Sequence, residues 1–288
     1  MPTAIESPSV VIRDIESVEE MRATEDLQIE AWGEDDRGIV PLNQFAAARH
    51  VGGSLVGAFD NEKLVGFVYG FWGHVLGRIV HHSHMLAVSS AYRNHNLAYR
   101  LKLAQRTKVL ADKLTDRITW TFDPLQSINA HFNFAKLGIV SDVYKINIYG
   151  DAGASFLHQN GTDRLFVTWL IKSQRVEERV AGNSASVEKN DDAFQGSVRL
   201  LTNSNSGMPE PLADLTELTS ADSVLIEVPT DMISIESSDF ELARKWREES
   251  RRAFSEAISA GFVVTEYFRK NEQAGSYLLQ RKRIDDFF

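Results

Sequence analysis

The stretch Met85-Leu86-Ala87-Val88-Ser89-Ser90-Ala91-Tyr92-Arg93-Asn94-His95-Asn96-Leu97-Ala98-Tyr99-Arg100-Leu101 decides how the first half of the chain folds. An apolar run gives way to small polar residues, and helical periodicity then holds from Leu97 to about Leu114. A strand thus leads through a short loop into a helix. Such a helix start presents N–H groups that lack an intrahelical acceptor, at the positive end of the helix dipole. Between Arg93 and Arg117 lie seven basic and two acidic side chains, within a chain of net charge −9. Lys102, Arg106 and Lys113 share one helix face. They read either as an anion-holding stripe or as a solvated face opposite Leu101, Leu103, Leu110 and Leu114.

Upstream, Val10–Ile12 reads as a first strand and Val18–Trp32 as a helix. Ser54–Phe59 and Leu64–Trp72 flank the turn-forming Asp60-Asn61-Glu62-Lys63 and predict an antiparallel hairpin, followed by an extended run from Val80 to Val88. Downstream, Ile118–Phe122 is a strand stopped by Asp123-Pro124, and Ile128–Leu137 a helix closed by Gly138. Val143–Tyr149 and Leu165–Ile171 complete a mixed α/β domain over residues 1–172. Residues 173–218 are rich in Ser, Asn, Asp and Glu and read as a polar linker, with Ser197–Leu201 as an isolated strand. Residues 219–288 then predict a β-α-β-β module: Val224–Val228, a long helix over Asp239–Ala260, and a hairpin of Phe262–Phe268 with Tyr277–Leu279. The expected class is α/β (α+β), a mixed central sheet flanked by helices plus a smaller C-terminal module.

Composition narrows the function. The chain has 288 residues, 43% of them hydrophobic, with 31 basic and 40 acidic side chains and no cysteine. A net negative charge disfavours binding to nucleic acid or to an anionic membrane. Lack of cysteine removes disulfides, thiolate metal sites and a cysteine nucleophile. No run approaches the roughly 18 apolar residues of a membrane helix, and Met1–Glu6 lacks the features of a secretory signal, so a cytoplasmic location is expected.

The stretch 85–101 resembles motif A of the GNAT acyltransferase superfamily, with Arg93-Asn94-His95-Asn96-Leu97-Ala98 in place of the Arg/Gln-x-x-Gly-x-Gly/Ala loop. A second signature follows at the expected distance: Ile118-Thr119-Trp120-Thr121-Phe122, then Asn129-Ala130-His131-Phe132-Asn133-Phe134-Ala135-Lys136-Leu137-Gly138, similar to the motif B helix. The resemblance covers about residues 10–171 and implies a GNAT-like core that takes acetyl-CoA or another acyl-CoA, succinyl-CoA included. It implies that the loop formed by Arg93, Asn94, His95, Asn96, Leu97 and Ala98 holds the pyrophosphate. It also implies that the backbone of Leu86, Ala87 and Val88 pairs with the pantetheine arm, and that Asn129 offers its amide to that arm. Asn96 stands where the family usually has glycine, and asparagine is among the few side chains that tolerate positive φ.

Acyl transfer to an amine requires a neutral amine, a stabilised oxyanion and protonation of the leaving thiolate. Without cysteine the economical route is direct attack, with no covalent enzyme intermediate. Candidate bases are His82 and His84, which strand alternation puts on one face with His81 on the other, and Asp123 at the end of the next strand. The His-x-His pair lacks a third ligand at convincing spacing, so no metal is expected. Many members of the family use a motif B tyrosine as the acid. Phe134 occupies that position, leaving His131, Tyr144 and Tyr149 as substitutes.

The loop Glu34-Asp35-Asp36-Arg37 reads as acceptor-selecting or as plain exposed charge. Arg244, Arg247, Arg251 and Arg252 form either a carboxylate-binding set or pairs with neighbouring acids. Within the superfamily the chain looks most like a branch linked to N-succinylation of amino acids. The expected function is therefore acetyl or succinyl transfer to a small-molecule amine, with a homodimer compatible. A non-catalytic acyl-CoA-binding protein and a GNAT-like scaffold with a C-terminal interaction module are the rival readings.

Overall fold

A computed structural model describes residues 9–33, 38–93, 95–150, 160–182, 194, 196–211 and 215–288. The chain divides into two compact units at Thr119/Trp120.

Unit 1 runs β1 (Val10–Asp14), α1 (Val18–Trp32), α2 (Leu42–His50), β2 (Ser54–Asp60), β3 (Lys63–Val75), β4 (Arg78–Val88) and α3 (Leu97–Asp112), and ends in the first half of β5 (Arg117–Phe122). Its sheet has the order β1-β2-β3-β4-β5, antiparallel except for the β4–β5 pair. Both faces are covered, which is why β2 and β3 read as near-continuous apolar runs rather than alternating ones. Leu55, Phe59, Phe67 and Tyr69 pack under α1 and α2, while Val56, Ala58, Val65 and Val68 pack under Leu97 and Leu101 of α3. Helix α1 begins at a capping box: Ser17 accepts from the Glu20 N–H and the Glu20 carboxylate accepts from the Ser17 N–H. Leu76 and Gly77 both have positive φ, the requirement of a tight two-residue turn between β3 and β4.

Unit 2 contains the rest of β5, α4 (Ser127–Leu137), β6 (Val140–Lys145), β7 (Arg164–Leu170), α5 (Gln174–Val180), β8 (Val198–Asn203), β9 (Pro209–Pro211), β10 (Ser223–Pro229), α6 (Met232–Ser238), α7 (Phe240–Ser259), β11 (Phe262–Arg269) and β12 (Ala274–Arg281). From His131 onward α4 widens into π-helical turns. Its last carbonyls are satisfied by side chains, that of Leu137 by the Trp169 indole and those of Phe134 and Ala135 by Arg179. The sheet order in this unit is β5-β7-β6-β11-β12-β10-β8-β9.

Several sequence expectations change here. The linker over 173–218 contains α5, β8 and β9, and the strand read as isolated pairs in parallel with β10. The contact boundary falls at Thr119/Trp120 rather than after residue 172, because β6 is hydrogen-bonded to β11 and Arg175 and Arg179 of α5 clamp Glu266 of β11. Helix α2 is only nine residues long, too short for a clear helical period, and it buries Phe45 and Ala48.

Helix α7 shows a clear apolar stripe, with Trp246, Ala253, Phe254 and Ala257 all in the core. A buried ion pair fixes it: Arg247 donates to both oxygens of Asp123, at 2.8 and 2.6 Å. Arg247 also donates to the Asn160 carbonyl, and Asn160 donates to that of Ala243. Removing one partner of such a pair strands the other charge. Arg247→Met is expected to lower the stability of the full chain by about 3–5 kcal/mol, and Arg247→Met combined with Asp123→Leu to recover most of it. Equal denaturation midpoints for wild type and the single variant would remove the pair as the anchor of α7.

Candidate active site

Strand β4 carries the chemistry-bearing residues of unit 1, and its pairing decides where they point. Tyr69 of β3 faces Met85, but the next residue, Gly70, faces Ser83, so His84 is an extra residue in a β-bulge. A bulge re-aims a side chain and increases local twist. The imidazoles of His82 and His84 lie 6.2 Å apart, centroid to centroid, and Phe71 lies 5.5 Å from the first and 5.8 Å from the second. Tyr69 completes the wall at 6.1 Å from His84, and itself packs edge-on against Phe45. His82 Nδ1 is 3.1 Å from the Thr119 hydroxyl. Burial pushes His82 down to about 4, helped by His84 and Lys102, and also lowers His84. Of the two, His84 is the exposed one. Both shifts favour the neutral imidazole.

A polar layer lies beneath. His81 Nε2 is 2.8 Å from the Ser54 hydroxyl, which also accepts from Gln105 at 3.0 Å. Gly70 permits this approach: a Cβ there would sit 2.5 Å from His81 Nε2 and 2.8 Å from the His82 carbonyl oxygen. Lys102 donates to the Ser83 hydroxyl at 2.8 Å and is buried. This corrects the basic-stripe reading. Lys102 belongs to the interior, Arg100 donates to the Val10 carbonyl, and Lys108 is paired with Asp14, so α3 spends much of its positive charge inside unit 1.

The other edge of β4 is open. The Ser89 N–H donates to the Val65 carbonyl, so by antiparallel alternation Ala87 also faces β3 while the N–H groups of Leu86 and Val88 point the opposite way. Pairing with β5 covers only His81–Ile118 and His82–Thr119. Among the described residues no strand follows Ser83–Val88 along that edge. Beyond it, one Glu30 carboxylate oxygen accepts from the Ser89 and Ser90 hydroxyls and the Ser90 N–H, which fixes the turn before the loop. Asn96 takes the left-handed conformation at φ 57° and makes no side-chain cap, so the first turn of α3 opens onto the exposed Arg93 and His95. Asn94 and the loop Glu34–Arg37 lie outside the described residues.

The other sequence candidates belong to unit 2. Asp123 accepts from Arg247 with both oxygens and from the Leu125 N–H, which commits its lone pairs to structure. Tyr144 donates to Asp163 at 2.8 Å and stacks on Phe254; burial raises its phenol well above the ordinary value. Phe134 is fully buried against Phe122 and Tyr277. Asn129 and His131 are exposed on α4, and the Tyr149 hydroxyl is 3.4 Å from that of Thr121. Among the described residues no group of three or more His, Asp or Glu could hold a metal ion, and no helix is long and apolar enough to cross a membrane. Sequence reasoning missed the Ser83–Lys102 pair. The signal for it was Lys102 following Leu101, one position round from the apolar face of α3.

The buried groups set a direction for stability against pH. His81 and His82 have folded values of about 4, below an ordinary 6.5, so the unfolded chain binds more protons and stability falls as pH drops from about 6.5 to about 4. Lys102 is pushed by burial from 10.5 to about 7, so its cost is full below pH 7 and relieved between 7 and 10.5. All three act in one sense. Denaturation midpoints are expected to rise with pH across this range, and Lys102→Met to flatten the part above pH 7. An unchanged slope in that variant would show that Lys102 does not carry this titration.

Comparison with known proteins gives a family match. Residues 15–138 match the model of the acetyltransferase (GNAT) family. Among solved structures, the Escherichia coli ribosomal-protein-S18-alanine N-acetyltransferase is 14% identical, covering 56% of this chain and 94% of its own, at a TM-score of 0.45. A GNAT-family acetyltransferase from Streptococcus pneumoniae is 16% identical over 56% of this chain and 98% of its own, at 0.44. An N-acetyltransferase from Staphylococcus aureus Mu50 is 13% identical over 57% and 99%, at 0.44. No protein of curated function matches the chain. The matched stretch, residues 15–138, contains β4, its open edge and α3, and is similar to the acetyltransferase (GNAT) family over that length.

Proposed function

We propose that this protein is an acyl-CoA-dependent N-acyltransferase that moves an acetyl or succinyl group to the amine of a small molecule such as an amino acid. The observation that carries this reading is the open edge of β4, where the N–H groups of Leu86 and Val88 face away from β3 just before an uncapped helix start. An extended thioester with an anionic end fits both features. Its pantetheine arm adds along Leu86–Val88 as a strand would, and its pyrophosphate meets the first-turn N–H groups of α3 with Arg93 supplying charge.

Within this reading the neutral acceptor amine attacks the thioester carbonyl. The N–C bond forms, the C–S bond breaks, and the amine proton passes to His84. Geometry and charge favour His84 over His82: it is the more exposed imidazole, whereas His82 at about 4 is a weak base held on Thr119. The leaving thiolate takes its proton from water, since buried Phe134 has none to give. The aromatic rings of Tyr69 and Phe71 beside the imidazoles lower the local polarity on one side, which favours the neutral form of the amine.

The test is turnover of acetyl-CoA and succinyl-CoA with a panel of amino acids and amines. His84→Ala is expected to lower kcat by about a hundredfold or more while leaving acyl-CoA affinity near wild type. Arg93→Glu is expected to weaken acyl-CoA binding without lowering stability. Binding of acyl-CoA with no transfer to any amine would instead support a non-catalytic acyl-CoA-binding protein.

A further inference from the structure

Unit 2 encloses three guanidinium groups, Arg164, Arg247 and Arg251, around two carboxylates, Asp123 and Asp163. Both carboxylates are spent. Asp123 is held in the fork of Arg247, and Asp163 accepts two bonds from Arg251, at 2.8 and 3.0 Å, with the Tyr144 hydroxyl and the Asn147 N–H besides. Glu236, half-buried beside Asn160, is not within ion-pair distance of the three arginines; burial raises its pKa, and the charge of Arg247 opposes that shift. Arg164 is left over. It is only 9% exposed, yet its one hydrogen bond to a described residue goes from Nη1 to the Asp163 carbonyl, at 2.8 Å. Its carboxylate contact is Asp123 Oδ2 at 3.9 Å, an oxygen already taken by Arg247. On the solvent side its Cζ lies 5.6 Å from the ring of Tyr149, which is half exposed and close to the Thr121 hydroxyl.

None of the Arg164 nitrogens is among the fully enclosed unpaired atoms, so its remaining N–H groups reach solvent at the edge of the cluster, open to an anion. We propose that Arg164 anchors a site for a carboxylate-bearing small molecule, with Tyr149 as its outer wall. The guanidinium fork matches the two oxygens of a carboxylate. Among Arg164, Arg247, Arg251, Asp123 and Asp163 the cations outnumber the carboxylates by one, and a planar two-oxygen anion fits the free side of the fork better than a tetrahedral one. The arginines of α7 do not offer this. Arg247 and Arg251 are engaged as described, while Arg244 pairs with Glu241 and Glu248, and Arg252 with Glu249 and Glu256. The site lies within unit 2 and does not rest on the acyl-transfer proposal.

The experiment titrates the full-length protein with acetate, succinate, inorganic phosphate and chloride at constant ionic strength, without any CoA compound, reading heat of binding and thermal midpoint. Acetate and succinate are expected to bind saturably and raise the midpoint, with chloride inert. Arg164→Met is expected to weaken carboxylate binding by about tenfold or more, and Arg164→Lys, which keeps the charge without the fork, by less. Carboxylate effects no larger than those of chloride, tighter binding of phosphate, or wild-type affinity in Arg164→Met would each overturn the proposal. If Arg164→Met fails to fold, Arg164→Lys and Tyr149→Ala decide, and unchanged affinity in both overturns it.

Discussion

A strand inside a sheet has N–H and C=O groups on two edges, and every one of them needs a partner. Strand β4 meets this fully only on the β3 side, because its ladder to β5 lasts for two residue pairs. That shortfall organises the rest of unit 1. It leaves the backbone of Leu86 and Val88 turned toward an absent neighbour, and it coincides with the bulge that carries His84.

The histidines and lysine built into this sheet are met by short polar contacts rather than by opposite charges, and His81 Nδ1 and Gln105 Oε1 stay buried without a hydrogen-bond partner. Ser54 serves His81 and Gln105, and Ser83 serves Lys102. Hydroxyls suit the task because they donate or accept as the neighbour requires. The layer holds its members near neutrality, and this avoids the larger penalty of enclosing several like charges. Unit 2 follows the opposite policy: it encloses full charges and neutralises them in forks, apart from Arg164.

Much of this was legible in the residues. The stretch from Met85 to Leu101, the hairpin around Asn61 and the stripe on α7 all carry strong local signals, and each appears in the structure. Placing His82 and His84 on one face from strand alternation agrees with their ring separation, though a bulge intervenes that no pattern announces. Charge was the poorer guide. Seven bases in a row of 25 residues looked like a surface stripe, but Lys102 turned inward because its position on α3 borders Leu101 and Ser83 lay within reach. Asp123 and Arg247 are separated by more than a hundred residues, and their pairing depends on tertiary structure alone. So does the sharing of Asp123 between Arg247 and the more distant Arg164.

Asn96 has a consequence for how the loop before α3 is held. It takes the left-handed backbone that glycine would take, at φ 57°, but an asparagine samples far fewer conformations in the unfolded chain. Substituting asparagine for glycine therefore exchanges a modest local strain for a smaller loss of chain entropy on folding, and the two effects are of similar size. The loop enters α3 already committed to its turn. Under the proposed acyl-CoA reading, an anion arriving there would have less disorder to remove, so part of what a glycine loop would settle at each binding event is here settled once, at folding.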